Sequence, residues 1–293
     1  MFSRRHPYLF FLLALCSIGA AAMLGILLLG VLGLRAVDFS AFTPGKDSVG
    51  VVEVSGVIAD SEEILQEIKE FRKQTKIRAI VLRIDSPGGG VGPSQEIYRE
   101  IRKTSEVKPV IASMGAVAAS GGYYIAAAAD EIVANAGTIT GSIGVIMGFA
   151  NLREILQKIG LVPVVVKSGQ YKDIGSPARE MTEQERTLLQ NLVDSVHSQF
   201  VRDISEGRKM DAAKVAEVAD GRIFTGEEAM RLGLVDRIGN LEDAIERAGR
   251  RGGITGEITA VYPEARKYSI LRDLLGTFWN RLTGRSDYRL ILS

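Results

Sequence analysis

The chain has 293 residues, 46% of them hydrophobic, and 36 basic side chains balance 35 acidic ones for a net charge of +1. That size and apolar content suffice for a large core, while near-neutral charge without a long basic stripe excludes nucleic acid as a main partner. A single cysteine, Cys16, rules out an intramolecular disulfide, and two histidines, His6 and His197, are too few for the usual zinc motifs, so neither a metal nor another cofactor is expected.

Taken in chain order, Arg4 and Arg5 precede an uncharged run from Pro7 to Leu34, 28 positions long. About 20 apolar residues cross a bilayer as a helix, so the run is long enough for one transmembrane helix with some tilt. A cleaved signal peptide would use Ala20-Ala21-Ala22, but its apolar region spans only about 7–15 residues, and here the run continues well past those alanines. Residues 1–35 are therefore expected to be a cytoplasmic N-terminus and an uncleaved anchor. Arg4 and Arg5 place the rest of the chain on the extracytoplasmic side of the cell membrane, although Arg35 and Lys46 on the other flank weaken the asymmetry. Cys16 sits in the apolar run and packs there; bulky Leu15 before it does not suit lipid attachment.

Residues 36–48, with Pro44 and Gly45, form a linker. Strand and helix signals then alternate, the pattern of an α/β domain. Strands are expected at Val49–Val54, Ile77–Ile84, Pro109–Ser113, Glu131–Ala134 and Leu161–Lys167, and helices at Glu62–Lys76, Ser94–Ser105 and Leu152–Ile159. A long amphipathic helix spans Thr182–Arg208, opened by a Thr182/Glu185 capping box and carrying Leu188, Leu189, Leu192, Val193, Val196 and Phe200 on one side. Shorter helices follow near Ala212–Val218 and Gly226–Leu232. In the 251–293 tail, Ile270, Leu271, Leu274, Leu275, Phe278, Trp279 and Leu282 share one helical face. That face suits a membrane surface or packing on protein, and the sequence leaves both open.

Chemistry concentrates in small-residue segments. Ser86-Pro87-Gly88-Gly89-Gly90 follows a strand and precedes a helix, where glycines let backbone amides approach a ligand closely; an ordinary strand–helix turn looks the same. Ala119-Ser120-Gly121-Gly122-Tyr123-Tyr124 places a serine at a strand–helix junction, with its hydroxyl either exposed between small neighbours or used as a helix N-cap. Thr140-Gly141-Ser142-Ile143-Gly144 gathers hydroxyls and glycines around a further strand. Tyr171-Lys172-Asp173-Ile174-Gly175-Ser176-Pro177 carries a lysine that is either a surface residue or a base. His6 lies before the anchor, and His197 lies in mid-helix beside an apolar face, the setting of a structural histidine.

These four segments, in this order from about Val49 to Ala248, resemble the signal peptide peptidase A family, membrane-bound Ser–Lys proteases related to the Clp protease and crotonase fold. The resemblance implies stacked βαβ units over a protease domain at 49–250, with Ser120 as nucleophile and Lys172 as general base. It further implies Ser142 as the partner orienting the lysine amine, and the amides of Gly89 and Gly121 as the oxyanion hole. Peptides such as signal-peptide remnants would be the substrates. Long members hold two copies of the domain and this chain one, which implies a homo-oligomer enclosing the sites. A lysine acts as base only when neutral, and burial among apolar groups lowers its pKa. Asp173 would oppose that; on an extended chain neighbouring side chains point to opposite faces, so Asp173 is expected to point away. Substrate is expected to lie extended beside Gly88–Val91 as an added strand. Two other functions compete: a crotonase-like acyl-CoA enzyme, which needs a carboxylate that the glycine segments lack, and a non-catalytic membrane scaffold, which would have lost Ser120 or Lys172.

Overall fold

The computed structural model describes residues 46–263, with the isolated positions Tyr8 and Gly25. Among the described residues no helix is long and apolar enough to cross a membrane. The span expected over Pro7–Leu34, most of the linker and the tail face at Ile270–Leu282 lie outside them.

The first half is a run of βαβ units: β1 (Ser48–Ile58), α1 (Glu62–Lys73), β2 (Ile77–Gly89), α2 (Val91–Ser105), β3 (Val110–Ala119), α3 (Gly121–Ala126) and β4 (Glu131–Ala134). The second half is β5 (Ile139–Gly141), α4 (Arg153–Lys158), α5 (Glu183–Arg208), α6 (Ala212–Val218), β6 (Ile223–Thr225), α7 (Gly226–Arg231), β7 (Arg237–Ile238), α8 (Leu241–Arg251) and β8 (Ala260–Val261). The described strands make one sheet in the order β6-β5-β3-β2-β1-β8, with β4 branching from β3 and β7 pairing with β4. Only β5–β6 is antiparallel. The parallel centre is covered on both faces, which is why β2 reads as a nearly continuous apolar run: Ile80, Val81, Leu82 and Ile84 are all fully buried.

One face packs on α1, α2 and α3 through Ile68, Phe71, Ile97, Ile101 and Tyr123. Gly50 of β1 leaves room for Phe71, whose ring would lie 2.5 Å from a Cβ there. The opposite face, with Val49, Val51, Val81 and Ile111, is closed by Ala244, Ile245 and Ala248 of α8. The sheet also takes in β8, which pairs with β1 at Val49 and Gly50 beyond position 250.

One expected strand does not form. Leu161–Lys167 is not a strand: its β-branched run meets no neighbouring strand, and Val162, Val164 and Val166 are 80%, 85% and 97% exposed. The apolar stripe of α5 is buried at Phe200 and Ile204, toward its C-terminal end, but Leu188 and Leu192 stay 43% and 47% exposed. The capping box at Thr182 and Glu185 forms as expected.

Candidate active site

Ser86-Pro87-Gly88-Gly89 is the end of β2 rather than a turn after it, with Gly88 opposite Val57 and Gly89 opposite Ile58. Glycine is required twice here. A Cβ on Gly89 would lie 2.3 Å from the Ile58 carbonyl oxygen, and one on Gly88, at φ +108°, would lie 2.7 Å from the Gly121 nitrogen. Toward β3 the register slips: Ile84 faces Met114, whereas Ser86 faces Ala118. Asp85 steadies this bulge by accepting a hydrogen bond from the Val117 amide at 3.1 Å. Before the slip β3 pairs with β4, and after it with β5.

The second pairing ends at Ser120, whose amide donates to the Gly141 carbonyl at 2.9 Å. Ser120 stands just before α3 at φ 51° and ψ −117°, and its side chain makes no capping bond. The N-cap alternative therefore fails. A non-glycine residue with positive φ costs of order 1–3 kcal/mol and persists only where its surroundings impose it. The strand-to-helix turn so formed has the geometry that lifts a serine hydroxyl out of a sheet edge. Gly121 packs closely on the end of β2, since a Cβ there would sit 3.2 Å from the Gly89 nitrogen.

Gly89, Ser120 and Gly121 line one cavity of about 120 Å³ with Val91, Gln95, Tyr124, Ile146, Val196 and Phe200. Its aromatic wall packs ring edge against ring face: Tyr124 lies 5.1 Å from the Tyr98 ring, tilted by 54°, and 4.7 Å from that of Phe200, edge-on at 64°, centre to centre. Tyr124 also donates its hydroxyl to the Asp203 carboxylate. Burial, helped by that carboxylate, pushes the Tyr124 phenol well above its ordinary pKa, so the wall stays neutral. The residue types alone gave no sign that Val196, Phe200 and Gln95 belong to this site; two of them had signalled only an apolar helix face.

Ser142 follows β5, half-buried, with φ 50° and its amide donating to the Arg222 carbonyl at 2.8 Å. The residue just before it, Gly141, supplies the carbonyl that holds Ser120. Lys172 is elsewhere. It is exposed and absent from the Ser120 cavity, so the chain by itself brings together Ser120, Gly89 and Gly121 but not the lysine. The segment around it is a series of turns, not an extended chain as expected: the Lys172 amide donates to Gly169, Ile174 to Tyr171 and Ser176 to Asp173. Asp173 is bound by Lys167 and Arg179. A larger cleft, about 510 Å³, lies between α5 and the 147–151 and 175–181 segments, and holds none of the five candidate residues. The Nε2 of His197 lies 2.7 Å from the Ala219 carbonyl, tying α5 to the end of α6.

The model of peptidase family S49 matches residues 102–254, and that of Clp protease residues 52–139. A putative protease of Synechocystis sp. is 46% identical over 214 residues, 72% of this chain and 77% of that protein. The putative signal peptide peptidase SppA of Enterococcus faecium is 37% identical over 225 residues, 72% of this chain and 65% of its own. The chloroplastic serine protease SPPA of Arabidopsis thaliana is 36% identical over 226 residues, but the match covers only 33% of it. A family match over half the chain, and a relative this similar over most of its length, agree with the strand-to-helix serine: the chain belongs to peptidase family S49, the serine-type peptidases of the signal peptide peptidase A family.

Proposed function

We propose that this protein is a membrane-anchored endopeptidase that degrades membrane-associated peptides such as cleaved signal peptides, with Ser120 as nucleophile and Lys172 as base. The observation that carries the reading is the backbone of Ser120, held at φ 51° and ψ −117° with its hydroxyl uncapped beside Gly89 and Gly121. A neutral Lys172 amine, oriented by the Ser142 hydroxyl, takes the Ser120 proton as the oxygen attacks the scissile carbonyl. The developing oxyanion is met by the amides of Gly89 and Gly121. The lysine then gives its proton to the leaving amine, and a water releases the acyl group by the same route.

Lys172 reaches Ser120 from a second copy of the chain. Its exposure supports this, as does the display of apolar side chains along the preceding segment: Ile146, Phe149, Leu152, Ile155, Val162, Val164 and Val166 are all exposed, a surface that suits burial in a homo-oligomer. The anchor at Pro7–Leu34 would hold such an assembly at the extracytoplasmic face of the bilayer. The cavity beside Ser120, about 120 Å³ and walled by Val91, Ile146, Val196 and Phe200, suits a small or medium apolar side chain before the cleaved bond.

Mixing two inactive variants tests the reading. Ser120→Ala and Lys172→Ala are each expected to lose peptidase activity, and co-assembled they should regain part of it, because some sites receive an intact serine and an intact lysine. No recovery in verified mixed oligomers would sink the shared site, and an active Lys172→Ala enzyme would sink the base. Mass spectrometry of the wild-type products should place the cuts after small or medium apolar residues; cuts mainly after charged residues would refute the cavity assignment.

A further inference from the structure

The turn that carries Lys172 is gripped by Lys167, which donates to the Gln170 carbonyl at 2.8 Å and to Asp173 at 2.5 Å, and by Arg179. Arg179 lays its guanidinium against Asp173, with Nε to Oδ2 and Nη2 to Oδ1 both at 2.9 Å. From its other edge it donates to Glu185, Nη1 to Oε2 at 2.8 Å and Nη2 to Oε1 at 2.5 Å. Two carbonyls complete its bonds, Glu180 at 3.0 Å and Asp173 at 3.2 Å. Glu185 is buried and also accepts from the Thr182 amide at 2.9 Å, closing the capping box of α5. A continuous set of charge-assisted bonds thus runs from the first turn of α5 to the residue beside Lys172.

We propose that Arg179 is a positioning residue for the Lys172 base: it fixes the Lys172 turn to the start of α5 and occupies the Asp173 carboxylate that would otherwise hold Lys172 as an ammonium. The inference rests on the assignment of Lys172 as the base. The charged groups around this turn are Lys167, Asp173, Arg179 and Glu185, two of each sign, while Glu180 is paired with Arg153. Lys167 and Arg179 together hold the Asp173 carboxyl well below the usual carboxylate range, Arg179 contributing most. Without Arg179 a less compensated carboxylate remains one residue from a lysine that must be neutral to work, and a nearby negative charge raises the pKa of an amine. A lysine cannot replace Arg179, because it lacks the planar fork that grips two carboxylates at once.

The test is kcat/KM as a function of pH, with the assembled enzyme and a peptide substrate. Arg179→Gln should fall by roughly 100-fold near neutral pH, the scale of an ångström-sized misplacement, and its acid limb should move to higher pH. Adding Asp173→Asn to that variant should return the limb to its wild-type position while the rate stays low. Arg179→Lys, which also serves if the glutamine variant does not fold, should keep the limb and lose rate. A loss in Arg179→Gln that is uniform across pH, or no loss at all, overturns the proposal while an inactive Lys172→Ala leaves the base assignment standing. An active Lys172→Ala enzyme overturns both.

Discussion

The two halves of the candidate site are built differently. Around Ser120 the chain supplies its own walls: β2, β3 and α3 bury nearly every apolar side chain, and the strained serine backbone is fixed by a bond to Gly141 and by close-fitting glycines. From residue 145 to 181 the chain instead runs over the outside, with a six-residue helix, no buried residue and a row of exposed valines. What order it has around Lys172 comes from ion pairs rather than from burial. On the proposed roles, the nucleophile is preorganised by one chain's folding, whereas the base would be completed by a neighbouring copy.

Substitutions can break or sharpen this contrast. Leu82→Ala, in the fully buried centre of β2, should cost about 2–5 kcal/mol through lost burial and a residual cavity, seen as a lower urea midpoint. Glu67 is a fault inside the compact half: burial first, then the neighbouring Glu63 and Glu70 charges, push its carboxyl from 4.5 up to about 7. Between those values the folded chain keeps a proton that the unfolded chain has released, so stability falls as pH rises through that window and stays lower above it. Glu67→Gln should therefore gain on the order of 1–3 kcal/mol at about pH 8 and little at about pH 4; an equal gain at both would assign the effect to something other than this proton. Val164→Ser, in the exposed run, should change the chain's own stability by less than about 0.5 kcal/mol yet weaken self-association in sedimentation. If it destabilises the chain as much as Leu82→Ala does, the two regions do not differ as described.

Much of the fold was legible because its signals are local. The β-branched runs of β1 to β3, the capping box at Thr182 and the four small-residue segments all announce themselves within a few neighbours. α8 did not, because its buried face is built from Ala244, Ile245, Ala248 and Gly249, which carry little hydrophobic signal among charged residues. The two- and three-residue strands β6, β7 and β8 are too short to show a period. Leu161–Lys167 has a strand's composition, but composition cannot supply the neighbouring strand that a ladder needs. At the site, the residue types left Ser120 and Gly89 open and the resemblance of the four segments singled them out, while the missing capping bond and positive φ of Ser120 are properties of the folded chain. Arg179 drew no attention because its two partners lie six residues away on either side, a spacing with no regular period.

The long helix α5 acts as a spacer. Near its start, Glu185 ties it through Arg179 to the Lys172 turn; farther along, Val196 and Phe200 wall the Ser120 cavity. Eleven to fifteen residues separate those points, roughly 16 to 22 Å at 1.5 Å per residue. A rod of that length separates the Arg179 anchor of the Lys172 turn from the wall of the Ser120 cavity. On the reading proposed above, a lone chain would then stay inert and proteolysis would begin only with assembly.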